Sequence, residues 1–243
     1  MEKKLFSGLS MDGLESTGDV LGGAGPVDAG IYPAKIKMAY NITSEKGAKG
    51  VVLQFELEGG RQYNETLYIT NRSGEPFYTK NDKKYPLPGF STVNDLALMA
   101  TGLPLSEQDV EEKVVKIYNF ESKAEIPTKV PVFIDLLGKE VILAILRTIE
   151  DKNVKDDAGN YVPSGETRET NNIDKVFHGE SGKTVTEFVN KSEAEFKDKW
   201  DAKNSGQVRN KAKGAEGKSG APGRPAATGG GAAASTKPKS LFG

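Results

Sequence analysis

The chain has 243 residues, of which 36% are hydrophobic and 28% charged, with a formal net charge of −1 and no cysteine. Disulfides and thiolate metal sites are therefore excluded, and stability has to come from packing, as suits a reducing compartment. No apolar run approaches the roughly 20 residues of a membrane span, and Met1-Glu-Lys-Lys-Leu-Phe-Ser7 is followed by no signal-peptide core, so a soluble, unexported protein is expected.

Residues 1–30 are rich in Gly, Ser and Asp with few large apolar side chains, and read as a flexible arm. Order is predicted to start at Ile31. Residues 31–42 mix β-branched, aromatic and lysine residues. Val51, Leu53, Phe55 and Leu57 then fall at a period of two between polar Gln54, Glu56 and Glu58, which predicts a hairpin across the turn at 43–50. Gly59-Gly60 turns the chain into a third strand over Thr66–Thr70. The stretch 76–89, with Phe77, Tyr78 and Tyr85 interleaved with Lys80, Lys83 and Lys84, is either a covering hairpin or a functional loop.

A short helix is predicted from Ser91 or Thr92 to a glycine stop at Gly102, with Val93, Leu96, Ala97 and Ala100 as its buried stripe. A further helical turn is expected near 106–112, then a partly buried segment around Val114, Ile117 and Tyr118. A strand follows at 129–136, placed at an edge or bulge by Pro131. The nearly continuous apolar run Val141–Ile149 follows a turn at Gly138 and is rich in β-branched residues, which favours a central strand over a buried helix. Asp156-Asp157-Ala158-Gly159-Asn160 marks a hairpin turn. Phe188, Ser192, Phe196 and Trp200 recur every four residues and predict one helix over 185–200.

Residues 202–243 differ in composition. Eight basic residues (Lys203, Arg209, Lys211, Lys213, Lys218, Arg224, Lys237 and Lys239) stand against Glu216 alone, leaving +7 on this stretch and −8 on the first 201 residues. With its Gly-Gly-Gly-Ala-Ala-Ala run it reads as a disordered basic tail, ending in an apolar Leu241-Phe242. The organisation is an arm (1–30), a β-rich domain (31–201) and a tail (202–243).

Catalytic motifs are scarce. His178 is the only histidine and has no metal-ligand spacing around it, so a local hydrogen bond or aromatic contact at a turn accounts for it. Asp151, Asp156 and Asp157 do not follow a calcium-loop order, and Gly22–Pro26 lacks the lysine and hydroxyl of a phosphate loop. No enzyme, cofactor or metal is expected; an enzyme would need scattered carboxylates converging on a divalent cation. The positive signal is a mixture of aromatics and cations: Tyr63, Tyr68, Phe77, Tyr78 and Tyr85 beside Arg61, Arg72, Lys80, Lys83 and Lys84 could stack bases and hold phosphates. Lys203, Arg209, Lys211 and Lys213 would add phosphate contacts from the tail. The competing reading has the tyrosines covering the core and the lysines merely solvated.

Several strings resemble the single-stranded DNA-binding proteins of tailed bacteriophages: Gly30-Ile-Tyr-Pro-Ala-Lys-Ile36, Gly138-Lys-Glu-Val-Ile-Leu143, Glu169-Thr-Asn-Asn-Ile-Asp-Lys-Val-Phe-His178 and the basic tail ending Lys-Ser-Leu-Phe-Gly243. The resemblance implies an elaborated oligonucleotide-binding (OB) fold, a five-stranded closed barrel with short helices. It also implies a role in coating single strands during phage replication or recombination in the cytoplasm of the infected host, alongside other replication or recombination proteins. Many single-stranded DNA-binding proteins of bacteria and some phages end in an acidic tail that recruits replication partners; the basic one here puts partner recruitment by that end in doubt. The alternative is a structural or adaptor protein that docks partners through the 185–200 helix and the C-terminal tip.

Overall fold

The computed structural model describes residues 25–119, 122–157 and 161–213. Residues 1–24 of the arm expected at 1–30, and residues 214–243 of the tail expected at 202–243, including Leu241-Phe242, lie outside the described residues.

The organising element is the long strand β1 (Gly30–Thr43). One edge of β1 pairs antiparallel with β2 (Lys49–Leu57), Ile36 facing Phe55 and Ala39 facing Leu53, and β2 pairs in turn with β3 (Gln62–Tyr68). Gly59 and Gly60 make the turn between β2 and β3 at φ of +85° and +84°, a region that costs a glycine nothing. The other edge of β1 is shared. Its first half pairs with β8 (Glu140–Lys155), and its second half meets β7 (Ala124–Phe133) through Tyr40 and Val132. Among the described residues, β6 (Val110–Asn119) pairs only with β7, and β9 (Tyr161–His178) only with β8.

The expected closed barrel is not formed. The strands run β3-β2-β1-β8-β9, and no backbone ladder joins the outer members β3 and β9. A side chain bridges this seam: the Glu65 carboxylate accepts the Ile173 amide at 2.8 Å and the Tyr63 hydroxyl at 2.6 Å. Helix α1 (Pro88–Thr101) lies over the same seam, contacting both β3 and β9. Closure requires matched stagger in every strand. Here the β8–β9 ladder shifts register twice, between Ala144 and Ile145 and between Asp151 and Asn153.

The main core lies between this curled sheet and α1, with Ile36, Leu53, Phe55, Val93, Leu96, Leu143 and Ile145 essentially inaccessible. The central-strand expectation for 141–149 holds, since β8 is flanked by β1 and β9. α1 starts at Pro88 instead of at Ser91 or Thr92, because a proline at the first helical position loses no hydrogen bond. It stops at Gly102 with φ of 80°, as anticipated. The turn expected at 106–112 is limited to a 3₁₀ segment at Leu105–Glu107, after which β6 begins.

The helix expected over 185–200 is two. α2 (Val185–Val189) ends where Lys191 takes φ of 53°, and α3 (Phe196–Asn204) follows. Glu187 joins them. It closes a capping box with Thr184 and accepts the Glu195 and Phe196 amides at 2.9 and 2.8 Å.

The ordered body also exceeds the 31–201 span. Val27 is buried, with both its backbone groups held by the Asn171 side chain at 2.8 and 2.9 Å. After α3, β10 (Val208–Asn210) pairs parallel with β8 at Arg147–Ile149.

Candidate nucleic-acid interface

Between β3 and α1 the chain makes a separate hairpin, β4 (Phe77–Lys80) and β5 (Lys83–Pro86). Asn81 and Asp82 turn it with φ of 51° and 58°, the left-handed pair that a tight two-residue hairpin turn needs and that these two residue types tolerate. The register sets Tyr78 opposite Tyr85 and Lys80 opposite Lys83. Because side chains alternate, all four project from one face. The two rings stack at 5.6 Å with 24° between planes, and all four residues are exposed. On the other face the Lys84 ammonium lies 4.3 Å from the Phe77 ring centroid, a cation–π contact that anchors it. Among the described residues, no carboxylate forms an ion pair with Lys80, Lys83 or Lys84.

The hairpin root is fixed. Asn71 accepts the Ser73 and Glu75 amides at 2.9 and 3.0 Å and donates to the Phe77 carbonyl, while the Leu87 amide donates to the Pro76 carbonyl. At the start of α1, a side chain on Gly89 would meet the Tyr68 carbonyl oxygen at 2.3 Å, so only glycine lets the helix approach β3 so closely. Tyr68 itself is half exposed on the outer sheet face, beside Gly50 and Ile42. Arg72 lies exposed in the adjoining loop, which packs on the β1–β2 turn carrying Lys46 and Lys49.

Of the fourteen residues proposed from sequence, Tyr68, Arg72, Phe77, Tyr78, Lys80, Lys83, Lys84 and Tyr85 come together at this end of the sheet. Tyr63 does not. It faces Phe55 in the core at 7% exposure, and burial, with the Glu65 carboxylate beside it, raises its hydroxyl pKa. Arg61 is at the far end of β3, donating to the Gly25 carbonyl.

The C-terminal cations are also at that far end, because β8 runs antiparallel to β1 and continues past Gly30. They begin on folded chain instead of on a loose tail. Lys203 is exposed in the last turn of α3, and Arg209 donates to Asn204 Oδ1 at 2.6 Å. The Lys211 amide donates to the Ile149 carbonyl and the Lys213 amide to Asp151 Oδ2, both at 2.8 Å. Two exposed tyrosines stand outside the fourteen: Tyr118 near the tip of the β6–β7 hairpin, in a segment expected to be partly buried, and Tyr161 near the tip of the β8–β9 hairpin, where Lys155 sits 5.6 Å from its ring. Strand parity beside a turn is the signal that could have found them.

The face expected to dock partners is largely used internally. Trp200 is buried and donates to Asp174 at 2.7 Å, and Phe188 packs against the core and the edge of the His178 ring. His178 sits at a turn with Ser181 Oγ at 3.0 Å from Nδ1. A cavity of about 530 Å³ opens between α1, β9 and the α2–α3 unit, lined in part by Asp95, Lys175, Glu187 and Phe196. Burial pushes the Asp95 carboxyl up to about 6, against the pull of Lys175. Among the described residues, no group of three or more histidines and carboxylates is placed to hold a metal ion, and no helix is long and apolar enough to cross a membrane. No protein-family model and no curated protein matches this chain.

Proposed function

We propose that this protein binds single-stranded DNA without strong sequence preference, using the Tyr78–Tyr85 face of the β4–β5 hairpin as a stacking platform. The observation that carries the reading is the pair of stacked, exposed tyrosines with Lys80 and Lys83 next to them on the same face, on the side of the turn, and without a carboxylate partner among the described residues. A tyrosine face accepts any base, and two ammonium groups beside it suit the neighbouring phosphates. Tyr68 and Arg72 extend the surface along the outer sheet. Protection of strands exposed during phage replication or recombination is the role that the resemblance supplies. It fits a site whose chemistry is stacking and charge pairing.

The test is a titration of a labelled oligothymidylate by fluorescence anisotropy at several salt concentrations. Loss of one stacked base costs about 1–3 kcal/mol, so Tyr78→Ala with Tyr85→Ala should weaken binding by roughly 5- to 150-fold. Lys80→Gln with Lys83→Gln should lower the salt slope by about 0.7 for each phosphate that is no longer neutralised. An absence of binding at low salt, or affinity indifferent to both double substitutions, would overturn the proposal.

A further inference from the structure

From Val110 to Ile117 the outer edge of β6 has no ladder partner among the described residues, and its exposed face is self-complementary. β6 pairs with β7 along its whole length, from Val110 opposite Phe133 to Asn119 opposite Ala124, and with no other strand. From Val110 to Ile117 its outer edge offers a row of amides and carbonyls that a further strand can complete. On the face turned away from the outer sheet cluster, the even-numbered residues read Val110, Glu112, Val114, Lys116, Tyr118. Val114 is 69% exposed, and Val110 and Tyr118 are about half exposed.

We infer that two copies of this chain associate through β6, antiparallel about a two-fold axis at Val114. Such an axis stands perpendicular to the ribbon and keeps each face continuous, so the pairing must be centred on a residue. With Val114 opposite its own copy, Glu112 falls opposite Lys116 of the second copy, and Val110 opposite Tyr118, on both sides of the axis. Centring on Glu112, Lys113 or Lys116 sets like charges against each other, and centring on Val115 pairs no opposite charges. The residues of the strand therefore select both the partner, a second copy, and the register. The product is a four-stranded ribbon, β7-β6-β6-β7, that removes two exposed edges and covers the most exposed valine side chain on the strand. The β7 register, with Val132 opposite Tyr40, carries this hairpin past Thr43 toward the end of the sheet that bears the tyrosine hairpin. A dimer would then hold two such hairpins on one strand of nucleic acid, although the association itself does not depend on that reading.

Sedimentation velocity of the full-length chain without nucleic acid tests the inference. The wild type should show a monomer–dimer equilibrium. Lys116→Glu sets two glutamates opposite each other on both sides of the axis, and Glu112→Lys sets two lysines opposite each other in the same places. Each should raise the dissociation constant by about tenfold or more, since like charges directly opposite are destabilising. Glu112 also pairs with Lys129 within the hairpin, so the deciding measurement is an equimolar mixture of the two variants, in which every Glu–Lys pair is restored across the axis. The mixture should dimerise about as well as the wild type, which misfolded variants would not do. A wild type that stays monomeric, single variants that dimerise as well as the wild type, or a mixture no tighter than its components would each overturn the inference.

Discussion

Replacing Glu65 with alanine probes the device that holds the open sheet in its curl. The carboxylate accepts the Ile173 amide from β9 and the Tyr63 hydroxyl from β3, and both residues are buried. Alanine removes the one oxygen, Oε2, that accepts from both donors, and leaves the two donors without a protein partner. Each orphaned donor costs about 1–3 kcal/mol, so the variant should lose roughly 3–5 kcal/mol, a large part of the roughly 5–15 kcal/mol typical of a domain. With a urea slope of about 2 kcal/mol/M, the unfolding midpoint should drop by roughly 1.5–2.5 M. Hydrogen exchange gives the local readout. The Ile173 amide should lose more protection than the Val51 and Leu53 amides in the centre of the sheet, because the seam opens before the β1–β2 ladder does.

The same carboxyl group makes stability depend on pH. Burial raises the Glu65 pKa, and the hydrogen bonds from Tyr63 and Ile173 oppose the rise only in part. A carboxyl whose folded pKa lies above its unfolded value favours the fold most below the unfolded pKa. That contribution is lost as pH rises through the folded pKa. Glu65→Gln retains one acceptor and cannot titrate, so its deficit against the wild type should be largest in acid and shrink toward neutral pH. A Glu65→Ala midpoint within about 0.3 M of wild type, equivalent to only about 0.6 kcal/mol at such a slope, or unchanged exchange at Ile173, would refute the latch.

Asp95 offers a second titration: its carboxyl is pushed up to about 6 by burial, so native stability should fall as pH rises from about 4 to 6, and Asp95→Asn should remove that fall. The shift corresponds to at most about 3 kcal/mol, read as a gain of about 1–3 kcal/mol for the variant in urea melts at about pH 8. Truncation after Lys213 removes Lys218, Arg224, Lys237 and Lys239 and should leave the melt unchanged while lowering the salt slope of oligonucleotide binding by roughly 2–3. Truncation after Lys203 should also destabilise, because it deletes buried Asn204, the Gly206 amide bond to Ala29 and all of β10.

Much of the fold was legible where a single period sets both burial and pairing. Val51, Leu53, Phe55 and Leu57 alternate into the core, and the run at 141–149 is a strand with neighbours on both edges. The open seam was not legible. Whether β3 and β9 meet depends on register shifts at Ile36/Met38 and Ala144/Ile145, and on a glutamate whose two partners are 2 and 108 residues away. The four-residue recurrence of Phe188, Ser192, Phe196 and Trp200 suits one continuous helix. The break comes from Lys191 in a left-handed conformation and from Glu187 capping the next helix, neither of which has a periodic signature. Tyr63 could have been excluded by parity alone. It shares a face with Leu67, which packs on the core, whereas Tyr68 is on the opposite face.

Topology explains why cations grouped together by the sequence reading are far apart in the fold. β7 and β8 both run antiparallel to β1, but one leaves past Thr43 and the other past Gly30, so their hairpins extend from opposite ends of a strand about 45 Å long. Lys211 and Lys213 are held beside β8, while Lys80 and Lys83 project from the β4–β5 hairpin. A short oligonucleotide stacked on Tyr78 and Tyr85 cannot reach both sets, and a long one can. Substituting Lys211 and Lys213 with glutamine should therefore leave the affinity of a short strand unchanged and weaken that of a long strand. Combined with the tyrosine substitutions, the two losses should add, as expected for sites that share no neighbours. Equal weakening of short and long strands would mean that the nucleic acid does not follow β1 from one end to the other.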